Sequence, residues 1–419
     1  MLKVRGGQKL SGSVTISGSK NAALPLIAAA LLFKKVILRN VPRIGDIFSI
    51  LEIIKSLNVD VVFEGNTLTF NTEKMGTENM DRELAKKIRA SILLLAPLLN
   101  RFWFVELPYP GGCNIGKRPI DEHVNGFIDL WYKDSTNDDF VVLAGKPTEW
   151  ELHLYAKFAV TATENLVTAS VLRPGKTFIH LAAIEPHVMN LVAFLNHAWA
   201  KIVIHHDHTI EIEGVKTLAQ ETEFEVISDY IESGTFVVLW ALCSRDYIDI
   251  HQARIGDLTV FLQKCREIGV AFENLWNDTL RVYRSEKLKP VNVQTNIYPG
   301  FPTDLQSPFA ILLTQADGIS RIMEIMFEGR LNYLVEIEKM KWHPAIMNPH
   351  EAMIFGKTQL RGTTVSSWDL RAWVAMIIAG LIATGETSIT NVAYIERGYE
   401  DIIGKMRKLG VEIEKVGDE

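Results

Sequence analysis

The run Pro108-Tyr109-Pro110-Gly111-Gly112-Cys113-Asn114-Ile115-Gly116-Lys117-Arg118-Pro119-Ile120-Asp121 sets a single thiol among closely spaced glycines and prolines. That density rules out a regular helix or a central strand and leaves a shaped surface loop. Loops carried on a rigid scaffold are where reactive groups concentrate. Cys113 stands near Lys117 and Arg118 in sequence, and such cations raise a cysteine's thiolate fraction. A plain Gly/Pro turn would use the same residues, so the loop's meaning rests on its company. Ser17-Gly18-Ser19-Lys20-Asn21 is a small-residue turn running into an apolar helix. A helix N-terminus with a lysine beside it attracts an anion such as phosphate, although Ser-Gly-Ser before a helix is also ordinary capping. Phe301-Pro302-Thr303-Asp304-Leu305-Gln306 places a carboxylate after a proline-set turn, where it could cap the next helix or act as a general base toward a hydroxyl. Asp369-Leu370-Arg371 and Glu396-Arg397-Gly398 each bring an arginine to a helix entrance, and Arg330 follows a strand-like run. With Lys20 and Arg118, these cations suggest a pocket for a phosphate and a carboxylate, which the guanidinium fork fits.

Groups so far apart in sequence need a substantial scaffold to converge. At 419 residues the chain exceeds the size at which one core stops growing, so two domains are expected. An apolar content of 47% and a charged content of 22% are those of an ordinary globular protein. A net charge of -6 gives no basic footprint for nucleic acid, so the arginine clusters call for a local explanation. Cys113, Cys243 and Cys265 show no paired spacing, which argues against a disulfide framework and a zinc site; no metal is expected. Met1 to Gly7 is not followed by a signal-peptide core, and the apolar stretches 22–33 and 92–99 are too short to span a bilayer. A cytoplasmic protein without a membrane partner is expected, and no oligomeric state is legible.

One pattern recurs along the chain: an amphipathic helix, a break, a strand, a turn and another strand. It appears at Leu51-Glu52-Ile53-Ile54-Lys55-Ser56-Leu57, again near Phe127 and Leu191, then near Phe261, Leu331 and Ile402. Copies lie about 70 residues apart, room for a small α+β unit in each, and six such units fill the length. Between them run helices apolar nearly all round, over 21–33, 88–99, 161–171, 233–243 and 370–384, which should be buried with sheets around them.

The Gly-Gly-Cys loop, Phe-Pro-Thr-Asp, the Lys20-Asn21 turn and the arginine set, in this order on this repeat, closely resemble the UDP-N-acetylglucosamine enolpyruvyl transferases. The resemblance runs from Gly6 to Ile413. It implies two inside-out α/β domains, each of three βαβαββ units around buried helices, with 1–19 plus 229–419 as one domain and 20–228 as the other. It places the active site in an interdomain cleft. Its substrates would be phosphoenolpyruvate and UDP-N-acetylglucosamine, with no cofactor. Lys20, Arg118 and Arg397 would hold phosphoenolpyruvate, with Arg330 and Arg371 on its carboxylate side. Asp304 would take the proton of the sugar 3′-hydroxyl, and Cys113 would add covalently or move protons in its loop. Asp369 would assist at the tetrahedral intermediate. Asn21, Arg89, Pro119, Asp121, His123, Lys157, Val160 and Thr161 fall on nucleotide-sugar positions, and Met326 on a substrate-binding one.

Some positions depart from that family. Tyr230 replaces an arginine at the domain crossover and Ala159 a serine near the uridine phosphates, which bears on affinity more than on reaction type. Repeat helices in the family usually end on glycine, as Gly269 and Gly410 do here, but Trp131 and Trp199 fill the same slot and Trp342 stands beside it. Trp103, Trp276 and Trp373 also stand where a small or turn residue is expected. Bacterial codes that read UGA as glycine would give this pattern when translated with tryptophan. Two other functions compete: the sister shikimate-pathway enolpyruvyl transferase, which lacks the Gly-Gly-Cys loop, and a nucleotide-sugar-binding paralogue without activity.

Overall fold

The computed structural model describes residues 1–78, 80–111, 119–146, 148–366 and 369–416, leaving aside the Ala393 side chain. Two compact units divide the chain, one of Met1–Ser17 with Ser228–Glu419 and the other of Gly18–Gly112 with Arg118–Ile227. Cys113 to Lys117 lie outside the described residues.

Five of the six sheets share one wiring. Strand Lys35–Arg39 leads into helix Gly45–Ser56 and then the hairpin Asp60–Glu64 with Thr67–Asn71. The second hairpin strand returns antiparallel to the first strand, and Glu221–Glu225 joins its other edge in parallel. The sheets built on Lys176–His180, Ser244–His251 and Gly318–Met323 repeat this order. In the fifth, on Glu386–Ile389, the returning strand is supplied by the N-terminal Leu2–Arg5, with Leu2 opposite Ile389 and Val4 opposite Thr387. The sixth departs from the expected unit. Phe104–Pro108, Phe140–Ala144 and Lys133–Asp134 make three strands, and no parallel edge strand joins them among the described residues. The preceding segment, Glu73-Lys74-Met75-Gly76-Thr77-Glu78, has no apolar alternation to build an edge strand, and a short helix, Arg82–Lys87, follows it.

Within each unit the sheets surround apolar helices. In the first, Tyr230–Cys243, Gln306–Leu313 and Leu370–Ile382 pack on one another and are buried along nearly their whole length. In the second, Leu95–Phe102 packs against Val160–Ser170 and Lys20–Ala29. The stretch read as one helix over 88–99 is a 3-10 segment, Arg89–Leu94, before Leu95–Phe102. Pro97 has no N–H for an α-helical bond to Leu93, so the α-helix can include it only in its first turn. No helix among the described residues is long and apolar enough to cross a membrane.

All six repeat helices end the same way. Asn58, Trp131, Trp199, Gly269, Lys341 and Gly410 all take positive φ, at 59°, 69°, 77°, 103°, 66° and 96°. Each donates its backbone N–H three residues back, as in Trp131 to Ile128, Trp199 to Asn196 and Gly269 to Arg266. Left-handed backbone here closes the helix and turns the chain into the next strand. Trp131 and Trp199 thus hold conformations that favour glycine, as does Trp103 (φ 59°) at the end of Leu95–Phe102. Of the other three tryptophans, Trp342 stands beside the slot and Trp276 at a hairpin turn, as expected, while Trp373 does not stand at a turn. Lys341, not Trp342, takes the left-handed slot, and the buried Trp342 indole donates to the Phe355 carbonyl at 3.0 Å. Trp373 lies inside a helix and donates to the Thr390 carbonyl at 2.9 Å. Trp276 precedes a hairpin turn whose positive φ values belong to Asn277 and Asp278.

Candidate active site

The strongest cluster of sequence-selected residues lies in the first unit. Asp304 does not occupy the cap of the helix that follows it; it sits in the turn Thr303–Leu305, and Leu305 is the cap residue. Its carboxylate receives Arg330 Nη2 at 2.6 Å on Oδ1 and Arg371 Nε at 3.3 Å on Oδ2. Asp369 caps helix Leu370–Ile382, accepting the Arg371 N–H at 3.0 Å on Oδ1, while Oδ2 lies 3.7 Å from Arg330 Nε. The cap thereby orients both its own helix and an arginine arriving from another segment.

Arg330 and Arg371 are almost fully buried, at 5% and 2% exposure. Burial alone would disfavour their charge, but the carboxylates around them more than offset it. Asp304 and Asp369 push Arg330 upward. Tyr399, Asp304 and Asp229 do the same for Arg371, whose Nη2 lies 3.9 Å from Asp229. Both terminal nitrogens of Arg371, Nη1 and Nη2, are buried without a hydrogen-bond partner. Asp229 offsets part of their charge, and charged donors without hydrogen bonds at this depth favour an anion that supplies them. Arg397 ends the turn Val392–Arg397, which packs on helix Leu370–Ile382, with its guanidinium 5.8 Å from the Tyr394 ring centroid. Met326 is half-buried on the turn leading to Arg330.

The second unit gathers the remaining described positions. Lys20 opens helix Lys20–Ala29, whose cap is Ser19, and its ammonium pairs with Asp46 at 3.1 Å. Asn21 follows on the first turn. Arg89 Nη2 donates to the Pro119 carbonyl at 2.9 Å, tying the end of the Cys113 loop to the 3-10 segment. Asp121 opens helix Asp121–Asp129 and is exposed. His123, on the next positions of that helix, is buried between Thr161 Oγ1 (3.0 Å from Nε2) and Asn165 Nδ2 (2.9 Å from Nδ1). Burial first, then Arg89, pushes its imidazole down to about 3, so it is neutral. Asn165 gives its other N–H to the Ile92 carbonyl, so Nδ1 of His123 accepts and Nε2–H donates to Thr161. Lys157 pairs with Glu122 at 3.0 Å from a left-handed backbone. Val160 and Thr161 form the first turn of Val160–Ser170, and Ala159, its cap, provides no side-chain hydrogen bond. Tyr230 is buried on the first turn of its helix. Cys113 and Arg118 lie outside the described residues.

Sequence reading missed the supporting partners: Asp46 for Lys20, Asn165 for His123, and Thr303 and Glu324 around Asp304. A lone acid ending the apolar strand Gly318–Met323 was the available signal for Glu324. Cys243 and Cys265 are buried free thiols pushed upward by burial, Cys243 to about 12, and neither is a reactive centre. Among the described residues, no cluster of His, Cys, Asp and Glu is arranged to hold a metal ion.

The sequence matches the family described as EPSP synthase (3-phosphoshikimate 1-carboxyvinyltransferase) over residues 4–406. The chain belongs to the enolpyruvyl transferase family. Among its relatives, a Thermodesulfovibrio yellowstonii protein named UDP-N-acetylglucosamine 1-carboxyvinyltransferase is 36% identical, covering 99% of both chains. A Borreliella burgdorferi protein of the same name is 38% identical over 99% of this chain and 98% of its own. A Halalkalibacterium halodurans protein, UDP-N-acetylglucosamine 1-carboxyvinyltransferase 1, is 37% identical over 99% and 94%. In fold, the chain is similar to the enolpyruvyl transferase NikO from Streptomyces tendae, with a TM-score of 0.88 at 22% identity over 99% and 98% of the two chains. EPSP synthase from Acinetobacter baumannii matches with a TM-score of 0.74 at 14% identity over 99% of each chain. The enolpyruvyl transferase fold accounts for the repeated sheets.

Proposed function

We propose that the chain transfers the enolpyruvyl group of phosphoenolpyruvate to the 3′-hydroxyl of UDP-N-acetylglucosamine and releases phosphate. This would be the first committed step of peptidoglycan synthesis, carried out in the cytoplasm and serving cell-wall growth, shape and division. The observation that carries the reading is the Asp304 carboxylate held between Arg330 and Arg371, two buried guanidinium groups. A base beside anion-receptive guanidinium groups suits a hydroxyl attacking a carboxylated enol phosphate.

The steps divide among the residues as follows. Asp304 takes the proton from the 3′-hydroxyl as its oxygen bonds to C2 of phosphoenolpyruvate, and C3 takes up a proton to become a methyl group. The resulting tetrahedral ketal loses a C3 proton and expels phosphate, restoring the double bond on the sugar. Arg371 and Arg330 hold the carboxylate through that change, by donors fixed before the reaction starts. When that carboxylate takes up guanidinium donors, their hold on Asp304 weakens and its basicity rises. Asp369 assists at the ketal, Lys20, Arg118 and Arg397 hold the phosphate, and Cys113 adds covalently or moves protons.

The nucleotide sugar falls to residues 20–228, through Asn21, Arg89, Pro119, Asp121, His123, Lys157, Val160 and Thr161; the domain of 1–19 plus 229–419 supplies the base, with Met326 beside the sugar. Neutral His123 leaves the Thr161 hydroxyl proton available to an acceptor oxygen. The test is phosphate release from phosphoenolpyruvate, with and without UDP-N-acetylglucosamine, in the wild type and in Asp304→Ala. Sugar-dependent release, lost in the variant, is the expected result. Release driven instead by shikimate 3-phosphate would assign the sister reaction, and sugar binding without release would assign a binding paralogue.

A further inference from the structure

Glu324 is wholly buried, and its carboxylate gathers four hydrogen bonds from three separate segments. Oε1 accepts Thr295 Oγ1 at 3.0 Å and the backbone N–H groups of Met326 and Phe327 at 2.9 and 3.2 Å. Oε2 accepts Thr303 Oγ1 at 2.8 Å. That same Thr303 oxygen accepts Arg330 Nη1 at 3.0 Å, while Arg330 Nη2 reaches Asp304. A threonine hydroxyl has one proton. The Arg330 guanidinium can only donate, so Thr303 accepts from it and its single proton goes to Glu324 Oε2.

From this geometry we propose that Glu324 is a positioning residue for the Asp304–Arg330 pair, acting through Thr303. It fixes the polarity of the hydroxyl on which the guanidinium rests, and it shapes the turn carrying Met326. Misplacing a catalytic group by about 1 Å can cost on the order of 100-fold in rate, so a residue that touches no reacting atom can still govern turnover. The proposal rests on the functional reading above.

Glu324→Gln separates positioning from packing. Its amide oxygen can still accept Thr295, Met326 and Phe327, but its N–H would face Thr303 and push the hydroxyl proton toward Arg330. Thr303→Val removes the relay with Glu324 intact, and Thr303→Ser retains it. Other charges around Asp304 are unchanged in all three variants: Arg371, with its neighbours Asp229 and Tyr399, and Asp369. In steady-state assays of the full chain, Glu324→Gln and Thr303→Val should lower kcat roughly tenfold or more. KM for UDP-N-acetylglucosamine should stay within about twofold, because neither change removes a sugar contact. The acidic limb of the kcat/KM profile should move to higher pH, since a looser Arg330 favours the Asp304 carboxylate less. Thr303→Ser should restore both readouts. A fall in melting temperature with kcat and pH limb unchanged would make Glu324 merely structural and overturn the proposal. A wild-type chain without sugar-dependent phosphate release would instead overturn the functional reading.

A second inference rests on backbone geometry alone. Left-handed φ at Trp103, Trp131 and Trp199, two of them in the repeat slot that Gly269 and Gly410 fill, points to glycine at these three positions in the protein its own cell makes. UGA codons read as glycine would produce this. The gene should show UGA at all three codons, and peptides from the native source should carry glycine mass there; UGG at 131 and 199 would sink the idea.

Discussion

Arg371 combines two demands that a lysine cannot meet together. Nε is committed to Asp304, and Nη1 and Nη2 are buried without a hydrogen bond, Nη2 lying 3.9 Å from Asp229. Arg371→Lys keeps the charge but offers a single nitrogen, so it can serve the base or the substrate carboxylate but not both. Losing one or two charge-assisted hydrogen bonds, at roughly 1.5–3 kcal/mol each, should lower kcat/KM for phosphoenolpyruvate about 10- to 10,000-fold. Initial-rate kinetics at varied phosphoenolpyruvate would show it, and a change under threefold would remove Arg371 from the site. His123 makes a prediction about pH. Its folded value of about 3 lies below the ordinary 6.5, so the unfolded chain takes up a proton that the folded chain refuses. Stability contributed by neutral His123 is therefore full above about pH 6.5 and lost as pH falls toward 3, by up to about 1.4 kcal/mol per pH unit. Urea unfolding between pH 7 and 4.5 should show that slope in the wild type and a shallower one in His123→Gln. The residue types of the site were legible because each stands in a distinctive local run, such as Phe-Pro-Thr-Asp. Glu324 was not, since its meaning comes from Thr295, Thr303 and Met326 arriving at one point.

Helices and their ends explain why the repeat could be read at all. Each repeat helix ends on a left-handed residue and leads into a strand, and the apolar periodicity of a helix such as Gly45–Ser56 survives in the sequence whatever its neighbours do. Conformation at the slot after the helix is likewise set by local geometry, so a tryptophan there announces itself. That no parallel edge strand joins the sheet on Phe104–Pro108 among the described residues was not legible, because edge strands are short and pair with distant segments. Trp373 misled for a related reason: its indole N–H finds the Thr390 carbonyl, a partner that no local pattern reveals. Trp131→Gly and Trp199→Gly should each stabilise the chain, because an L-residue in left-handed backbone costs about 1–2 kcal/mol. Trp131 is 56% exposed and Trp199 67%, so little burial is lost in exchange. Thermal unfolding of the double variant should rise by a few degrees, at roughly 2–4 °C per kcal/mol for units of this size. An unchanged or lower melting temperature would mean that the tryptophans pack better than their backbone suggests.

At the scale of the whole molecule, the chain's first strand finishes its last repeat. Leu2–Arg5 lies between Glu386–Ile389 and Ile413–Lys415, and Leu2 and Val4 are fully buried. The sheet thus depends on residues separated by nearly the full length of the chain, and neither partner strand can pair with the other across the gap. The contact is held at its margins too: the Gly6 and Gly7 N–H groups reach the Gly385 and Leu381 carbonyls. Close approach explains Gly6, where a Cβ would meet the Ala383 carbonyl oxygen at 1.9 Å. Removing residues 1–7 would delete a central strand, leave two unpaired edges and open a cavity where Leu2 and Val4 packed. Two such buried aliphatic side chains are worth roughly 3–6 kcal/mol together, before the lost backbone pairing is counted. Unfolding of the truncated chain should therefore split, with the unit containing residues 228–416 melting first and the unit built from 18–227 melting near its original temperature. Exposed edges at Glu386–Ile389 and Ile413–Lys415 should also make it aggregate at concentrations where the full chain stays dispersed. Calorimetry with light scattering would show both effects. Adding the synthetic peptide 1–9 in excess should raise the lower transition, as a ligand of the folded form must; a single unshifted transition would mean that the first strand only decorates the sheet.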